Sequence, residues 1–416
     1  MKFPSQEKLD KYADLALKTG VNLQKGQKLM INSTIEGAEF TRVIAKRAYE
    51  MGAKDVHINW GDDALTRMKY EYVDQDTLSE VPEWQRQQYT YFAEEGAAIL
   101  SVRSTDPDLL KGIDAGKVAA ATKARSEAMS KFRQYTMNDR IQWSIVSIPI
   151  PAWAQKIFPN ENGEDAVEKL WDQIFSIVRV DREDPIAAWE EHNKTLIKAR
   201  EYLNKKQYSK LIYKAPGTDL EVDLPKGHIW KGGPAKTEKE GIQFNPNMPT
   251  EEVFTAPHKY GVNGKVSSTK PLNYGGNVID NFTLTFEEGK VVDFTAEEGE
   301  ETMKHLLETD EGSRRLGELA LVPHESPISQ SGLIFYNTLY DENASCHLAL
   351  GKAYPNNMTG GSDMNEEELD KNGINDSLSH VDFMMGSAEL DIDGVLEDGT
   401  EEPVMRKGSW AISFDE

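Results

Sequence analysis

The segment SHVDFMMG, Ser379 to Gly386, alternates polar and apolar residues. As a strand it presents His380 and Asp382 on one face and Val381, Phe383 and Met385 on the other, because strand side chains alternate with a period of two. An imidazole nitrogen and a carboxylate on one face can hold a single divalent cation. Both donor types suit Zn²⁺ or Co²⁺, and carboxylates also suit Mn²⁺ or Mg²⁺. The solvent-facing side of an amphipathic strand has the same pattern, so the pair needs partners from elsewhere in the chain.

Three other segments offer them. DENASCHLALGKAYP holds His347 in an apolar, helix-favouring run, where a histidine is commonly a core residue with one hydrogen bond. Tyr354 follows, with a phenol able to act as a ligand or as a donor to an oxyanion. Cys346 adjoins His347, but neighbours on a helix point about 100° apart and cannot form a dyad, so Cys346 reads as a small core residue. NMPTEEVFTAPH puts Glu251 and Glu252 at the head of a β-prone run, with one of them facing inward if that run packs. SRRLGELALV reads as a buried helix with Glu318 between Leu316, Leu319 and Leu321. A glutamate there is costly unless it is paired or binds a cation.

The elements around these segments divide the chain in two. Leu9, Tyr12, Ala13, Ala16 and Leu17 mark an amphipathic helix that stops at Gly20. Strands follow at KLMINS, DVHINW, AAILSVRS and WSIVSIPI, with helical stretches between them, including a long one near Val118 to Met137. Helices near Ala166 to Val178 and Pro185 to Leu203 come after. This alternation predicts a doubly wound α/β domain with a mostly parallel sheet. Its first strand–helix turn, NSTIEGAEF, lacks both GxGxxG and a GxxxxGK[ST] loop, which argues against a nucleotide site. His57, inside an apolar strand, reads as a core histidine.

From Lys210 onward short strands and turns dominate, with hairpin turns at Pro216-Gly217, Glu288-Gly289 and Asp398-Gly399. Helical stretches near Glu300 to Leu307 and Ser313 to Leu321 interrupt them. The expected organisation is an α/β domain over residues 1–208 and an α+β domain over residues 209–416 that carries the metal site.

Bulk composition narrows the partners. A net charge of −23 excludes nucleic acid as a natural partner and disfavours anionic membranes, since both recruit clustered Lys and Arg. No run of about eighteen apolar residues is present, and the opening MKFPSQEKLDKYADLAL has no apolar signal core. One cysteine, Cys346, leaves no intrachain disulfide, which fits the reducing cytoplasm.

Together the runs PTEEVFTAP, LGELALV, S-x-H-L-A-L-G-x-A-Y and H-V-D-F-M resemble, in order and spacing, the active-site segments of the thermophilic-type metallo-aminopeptidases, the aminopeptidase T, S and II group. The resemblance spans the whole chain. It implies two divalent metal ions (Zn, Co, Mn or Mg) on Glu252, Glu318, His347, Tyr354, His380 and Asp382, with Glu318 shared between them. It further implies that Glu318 and Tyr354 assist catalysis, that the substrates are short peptides with a free N-terminus, and that the protein is a homodimer. A phosphoesterase would use the same ligand types, but it usually adds Arg or Lys beside the metals, and no basic cluster accompanies these motifs. A non-enzymatic cation-binding protein is the remaining alternative, and it would be indifferent to loss of Glu318 or His347.

Overall fold

The computed structural model describes residues 3–104, 106–275 and 277–414. The chain forms two compact units. The first comprises Met1–Ile113, Ala120–Lys194 and Pro234–Thr250, and the second Asp114–Ala119, Thr195–Gly233 and Glu251–Glu416.

In the first unit the apolar stripe at the N-terminus folds as the helix Gln6–Leu15, capped by Ser5, whose side chain accepts from the Lys8 N–H. It buries Leu9, Tyr12, Ala13 and Leu15. Tyr12 stacks on Phe40 at 4.9 Å and donates its hydroxyl proton to the Ser147 carbonyl at 2.8 Å. Four strands, β1 (Lys28–Thr34), β2 (Asp55–Gly61), β3 (Ala98–Arg103) and β4 (Trp143–Ser147), form a parallel sheet in the order β2-β1-β3-β4. Helices connect them, so the α/β reading holds. The single long helix expected near Val118 to Met137 is instead two, Ala115–Ala128 and Ser130–Met137, broken at Met129, whose ψ of 5° leaves the helical range. His57 is half-buried, stacked on Phe92 and hydrogen-bonded to Gln88 at 2.7 Å.

The second unit is built from antiparallel strands, and its hairpins turn where the sequence marks them. β5 (Lys210–Ala215) and β6 (Thr218–Asp223) meet at Pro216-Gly217. The short strand β7 (Lys231–Gly232) follows, while β8 (Ala235–Lys236) and β9 (Gln243–Phe244) form a small ribbon within the first unit. Next come β10 (Val253–Thr255), β11 (Val262–Ser267), β12 (Leu272–Tyr274), β13 (Asn277–Glu287) and β14 (Lys290–Glu298). β15 (Leu316–Leu321), β16 (His347–Gly351), β17 (His380–Met384), β18 (Asp391–Val395), β19 (Glu401–Arg406) and β20 (Ser409–Trp410) complete the set.

A nine-stranded sheet runs β12-β13-β11-β6-β5-β18-β19-β20, with β14 on β13, and a five-stranded sheet runs β17-β16-β15-β10-β7. Val253, Leu319, Leu321, Leu348, Leu350 and Phe383 lie on one face of the smaller sheet and join the apolar core of the unit. No helix among the described residues is long and apolar enough to cross a membrane.

Two expectations fail here. SRRLGELALV contains the strand β15, not a helix, and His347 opens the strand β16 rather than sitting on a helix. Tyr354 lies in the loop after β16, at the start of the turn Pro355–Asn357. Helix-favouring Leu and Ala are overridden in both strands by pairing inside a sheet covered on its core face.

Candidate metal centre

The five-stranded sheet is what gathers the scattered segments. Cross-strand pairs Glu318↔Ala349 and Ala349↔Asp382 align one row of side chains, and Ala320↔His347 and His347↔Met384 align the next. Phe254 pairs with Ala320, which sets Glu252, two residues earlier, on the same face. One face of the sheet thus carries Glu252, Glu318, His347, His380 and Asp382, interspersed with Ala320, Ala349 and Gly351. Those small residues leave space above the sheet for the polar side chains to converge.

Their atoms do converge. His347 Nε2 lies 3.0 Å from Glu252 Oε2 and 3.6 Å from Glu318 Oε1. His380 Nε2 lies 3.7 Å from Glu318 Oε2 and 3.5 Å from Asp382 Oδ1. Among the described residues, two groups offer three ligand atoms within 4.8 Å of one another: Glu252, Glu318 and His347, and Glu318, His380 and Asp382. Glu318 belongs to both and points a different oxygen into each. Glu252, not Glu251, supplies the carboxylate beside His347; Glu251 is also buried.

The imidazoles are oriented by backbone. His347 Nδ1 faces the carbonyls of Glu342 and Ser345 at 2.9 and 3.1 Å, and His380 Nδ1 faces the Lys352 carbonyl at 2.6 Å. A carbonyl only accepts, so each Nδ1 carries a hydrogen and each Nε2 faces the carboxylates, donating to them while the ring is protonated and free to ligate a cation once it is not. This is the second-layer arrangement that metal-binding histidines adopt.

Electrostatically the cluster is under strain that a cation would relieve. Glu252 Oε2 and Asp382 Oδ1 are buried with no partner beyond the imidazole nitrogens of His347 and His380, a costly condition for a carboxylate oxygen. Burial, with Asp382 and Glu252 nearby, raises the Glu318 carboxyl to about 7 in spite of His347. Burial opposes charge on His347, yet Glu252 and Glu318 raise it well above its ordinary value. His380 is likewise opposed by burial and raised to about 9 by Asp382 and Glu318. The donor set, two imidazoles and oxygen-only acids without a thiolate, fits hard-to-borderline divalent ions. These residues therefore fit the metal that the sequence implies.

Tyr354 completes the neighbourhood. Its ring stands 5.2 Å from that of His380, edge to face, and burial with the carboxylates of Glu318, Asp382, Glu252 and Glu342 pushes its phenol well above the usual range. Glu342 is the residue that sequence reasoning passed over. It is buried, and its carboxyl is pushed well above its ordinary value, first by burial and then by Asp382 and Glu252. The sequence held only a faint signal for it, an acidic residue in a short helix five positions before His347.

The sequence profile of the thermophilic metalloprotease (M29) family matches residues 5–410. The chain belongs to that family. Aminopeptidase 2 of Geobacillus stearothermophilus is 57% identical over 409 residues, covering 98% of this chain and 99% of that protein. Aminopeptidase AmpS of Bacillus subtilis (strain 168) is 50% identical, with 98% and 99% covered. Wild-type AmpT from Thermus thermophilus, a solved structure, superposes with a TM-score of 0.90 at 43% identity, covering 98% of this chain and 100% of the other. As a member of the M29 family the chain is an enzyme of the metallo-aminopeptidase class, and the Glu/His/Asp cluster is where its metal chemistry can reside.

Proposed function

We propose that this M29 enzyme releases N-terminal residues from short peptides by hydrolysis with metal-activated water, and that Glu252, Glu318, His347, Tyr354, His380 and Asp382 would hold two divalent ions. The observation that carries the reading is Glu318, whose two oxygens face His347 and His380 and so join two ligand groups. Zn²⁺, Co²⁺, Mn²⁺ or Mg²⁺ suits such donors. Bound there, the ions supply a water of lowered pKa and a Lewis acid for the peptide carbonyl.

The remaining steps fall to the chain's own residues. Glu318 takes a proton from the attacking water and passes it to the leaving amine. Tyr354, while protonated, donates a hydrogen bond to the tetrahedral oxyanion. Glu342, buried beside these residues and outside the ligand set, offers a carboxyl that ionises against a free α-ammonium group, which restricts cleavage to the peptide's N-terminus.

A cytoplasmic homodimer is part of the same proposal. Cys346 is a free, buried thiol, suited to a reducing compartment. For the dimer, the helix Asp63–Tyr72 buries none of its residues and exposes Leu65, Met68 and Tyr72 at 63%, 51% and 85%, spaced as one helical stripe.

The deciding experiment is hydrolysis of leucine- and arginine-p-nitroanilide by the intact protein, before and after chelation and with each metal restored. Activity that is lost on chelation, regained with metal and absent in Glu318→Gln supports the reading. Absence of activity under every metal overturns it, and cleavage of N-acetylated substrates overturns the exopeptidase part.

A further inference from the structure

The contact between Glu252 and His347 needs something to hold it. Their strands, β10 and β16, flank β15 on opposite sides and do not pair with each other. On one side the ladder ends at Val253↔Leu321, so Glu252 lies just beyond it. On the other, His347 is the first residue of β16, and the turn before it is outside the ladder as well. Glu252 Oε2 is buried and has no partner other than His347 itself to hold the carboxylate in place.

Asn343 spans this gap. Its side chain is fully buried, and its Oδ1 accepts the backbone N–H of Glu251 at 2.7 Å. Its Nδ2 donates to the Leu339 carbonyl at 2.9 Å and to Glu342 Oε1 at 3.4 Å. Its own carbonyl accepts from Ser326 Oγ at 3.1 Å. The neighbouring carbonyl of Glu342 is in turn the acceptor for His347 Nδ1. One amide thus ties the backbone ahead of Glu252 to the turn that orients His347 and to the Glu342 carboxylate.

We propose that Asn343 is a positioning residue that sets the Glu252 carboxylate against the His347 imidazole, and so sets the cation affinity of that half of the site. The inference rests on the proposed metal-binding reading. An amide is suited to the task because it offers an acceptor to one segment and two donors to the other without adding charge among buried carboxylates. A purely structural role would lower stability and leave the affinity of the folded protein for cations unchanged.

The test is Co²⁺ titration of the metal-free, full-length protein by calorimetry and by the visible absorption of bound Co²⁺. Asn343→Ala is compared with wild type and with Asn193→Ala, which removes a buried amide bonded to Asn245 in the first unit. Expected are a loss of about tenfold or more in affinity at one class of sites and a changed absorption band for Asn343→Ala. Asn193→Ala should melt lower but titrate like wild type. If Asn343→Ala does not melt cooperatively, Asn343→Ser takes its place with the same expectation. Wild-type affinity and spectrum in the folded Asn343 variant overturn the proposal, whereas failure of the wild type itself to take up Co²⁺ overturns the metal-binding reading beneath it.

Discussion

Leu316 and Glu318 stand two residues apart in one strand and yet face opposite sides of the sheet. Leu316 pairs with Leu350 and Glu318 with Ala349, and the register shifts between them at Gly317. This bulge sends Leu316 into the core and turns Glu318 toward the histidines, as bulges beside active sites do. A Cβ on Gly317 would lie 2.3 Å from the Gly351 carbonyl oxygen and 2.5 Å from the Lys352 carbonyl.

Gly317→Ala should therefore push β15 from β16, cost about 1–3 kcal/mol of stability, and lose most metal affinity and peptidase activity through a displaced Glu318. Thermal unfolding and kcat/KM on leucine-p-nitroanilide measure both effects. A variant with wild-type kinetics would show that the bulge does not aim Glu318.

The site's protonation gives the metal-free enzyme a definite pH dependence. Glu318 is raised from 4.5 to about 7 by burial, so its contribution to stability declines as pH rises from about 4.5 to about 7. His380 is raised from 6.5 to about 9 by Asp382 in spite of burial, so its contribution is complete below about 6.5 and lost as pH rises through about 9. Both slopes have the same sign. The chelated protein should melt progressively lower from about pH 5 to about pH 9, while stabilisation by added Zn²⁺ grows, because the ion displaces the same protons. A chelated melting temperature that climbs across this range would contradict the protonation pattern.

Cys346 plays no chemical part. Its thiol is 2% exposed, donates to the Val322 carbonyl and accepts the Val322 N–H, both at 3.4 Å, and burial raises its pKa to about 11. Iodoacetamide at neutral pH should label the unfolded but not the folded protein and leave peptidase activity intact. Rapid labelling of the native enzyme with loss of activity would refute this.

The exposed stripe on the helix Asp63–Tyr72 is the proposed dimer contact. Leu65→Glu combined with Met68→Glu should convert a dimer to a monomer in light scattering with little change in melting temperature, since neither side chain is buried in the protomer. A double variant that stays dimeric would assign the contact to another surface.

The alternation of residues in SHVDFMM made β17 and its His380–Asp382 face readable without a structure, because period-two patterning is local. The parallel sheet was readable from the alternation of strands and helices and the three hairpins from their turn residues, signals that are local as well. Cys346 is buried as expected, but just ahead of a strand and not on the helix from which that was argued. β15 was misread because its bulge shifts the apolar period: Leu316, Leu319 and Leu321 match a helix only because Gly317 is looped out of the ladder. β16 was misread because Ala349 and Leu350 favour helices in isolation, whereas pairing between β15 and β17 decides their conformation. Sequence alone determined which side chains were available and how each strand divides them between faces. Only the tertiary structure decided that Glu252, Glu318, His347 and His380 meet within a few ångströms and that Glu342 and Asn343 stand among them, because strand order and register depend on contacts between segments distant in the chain.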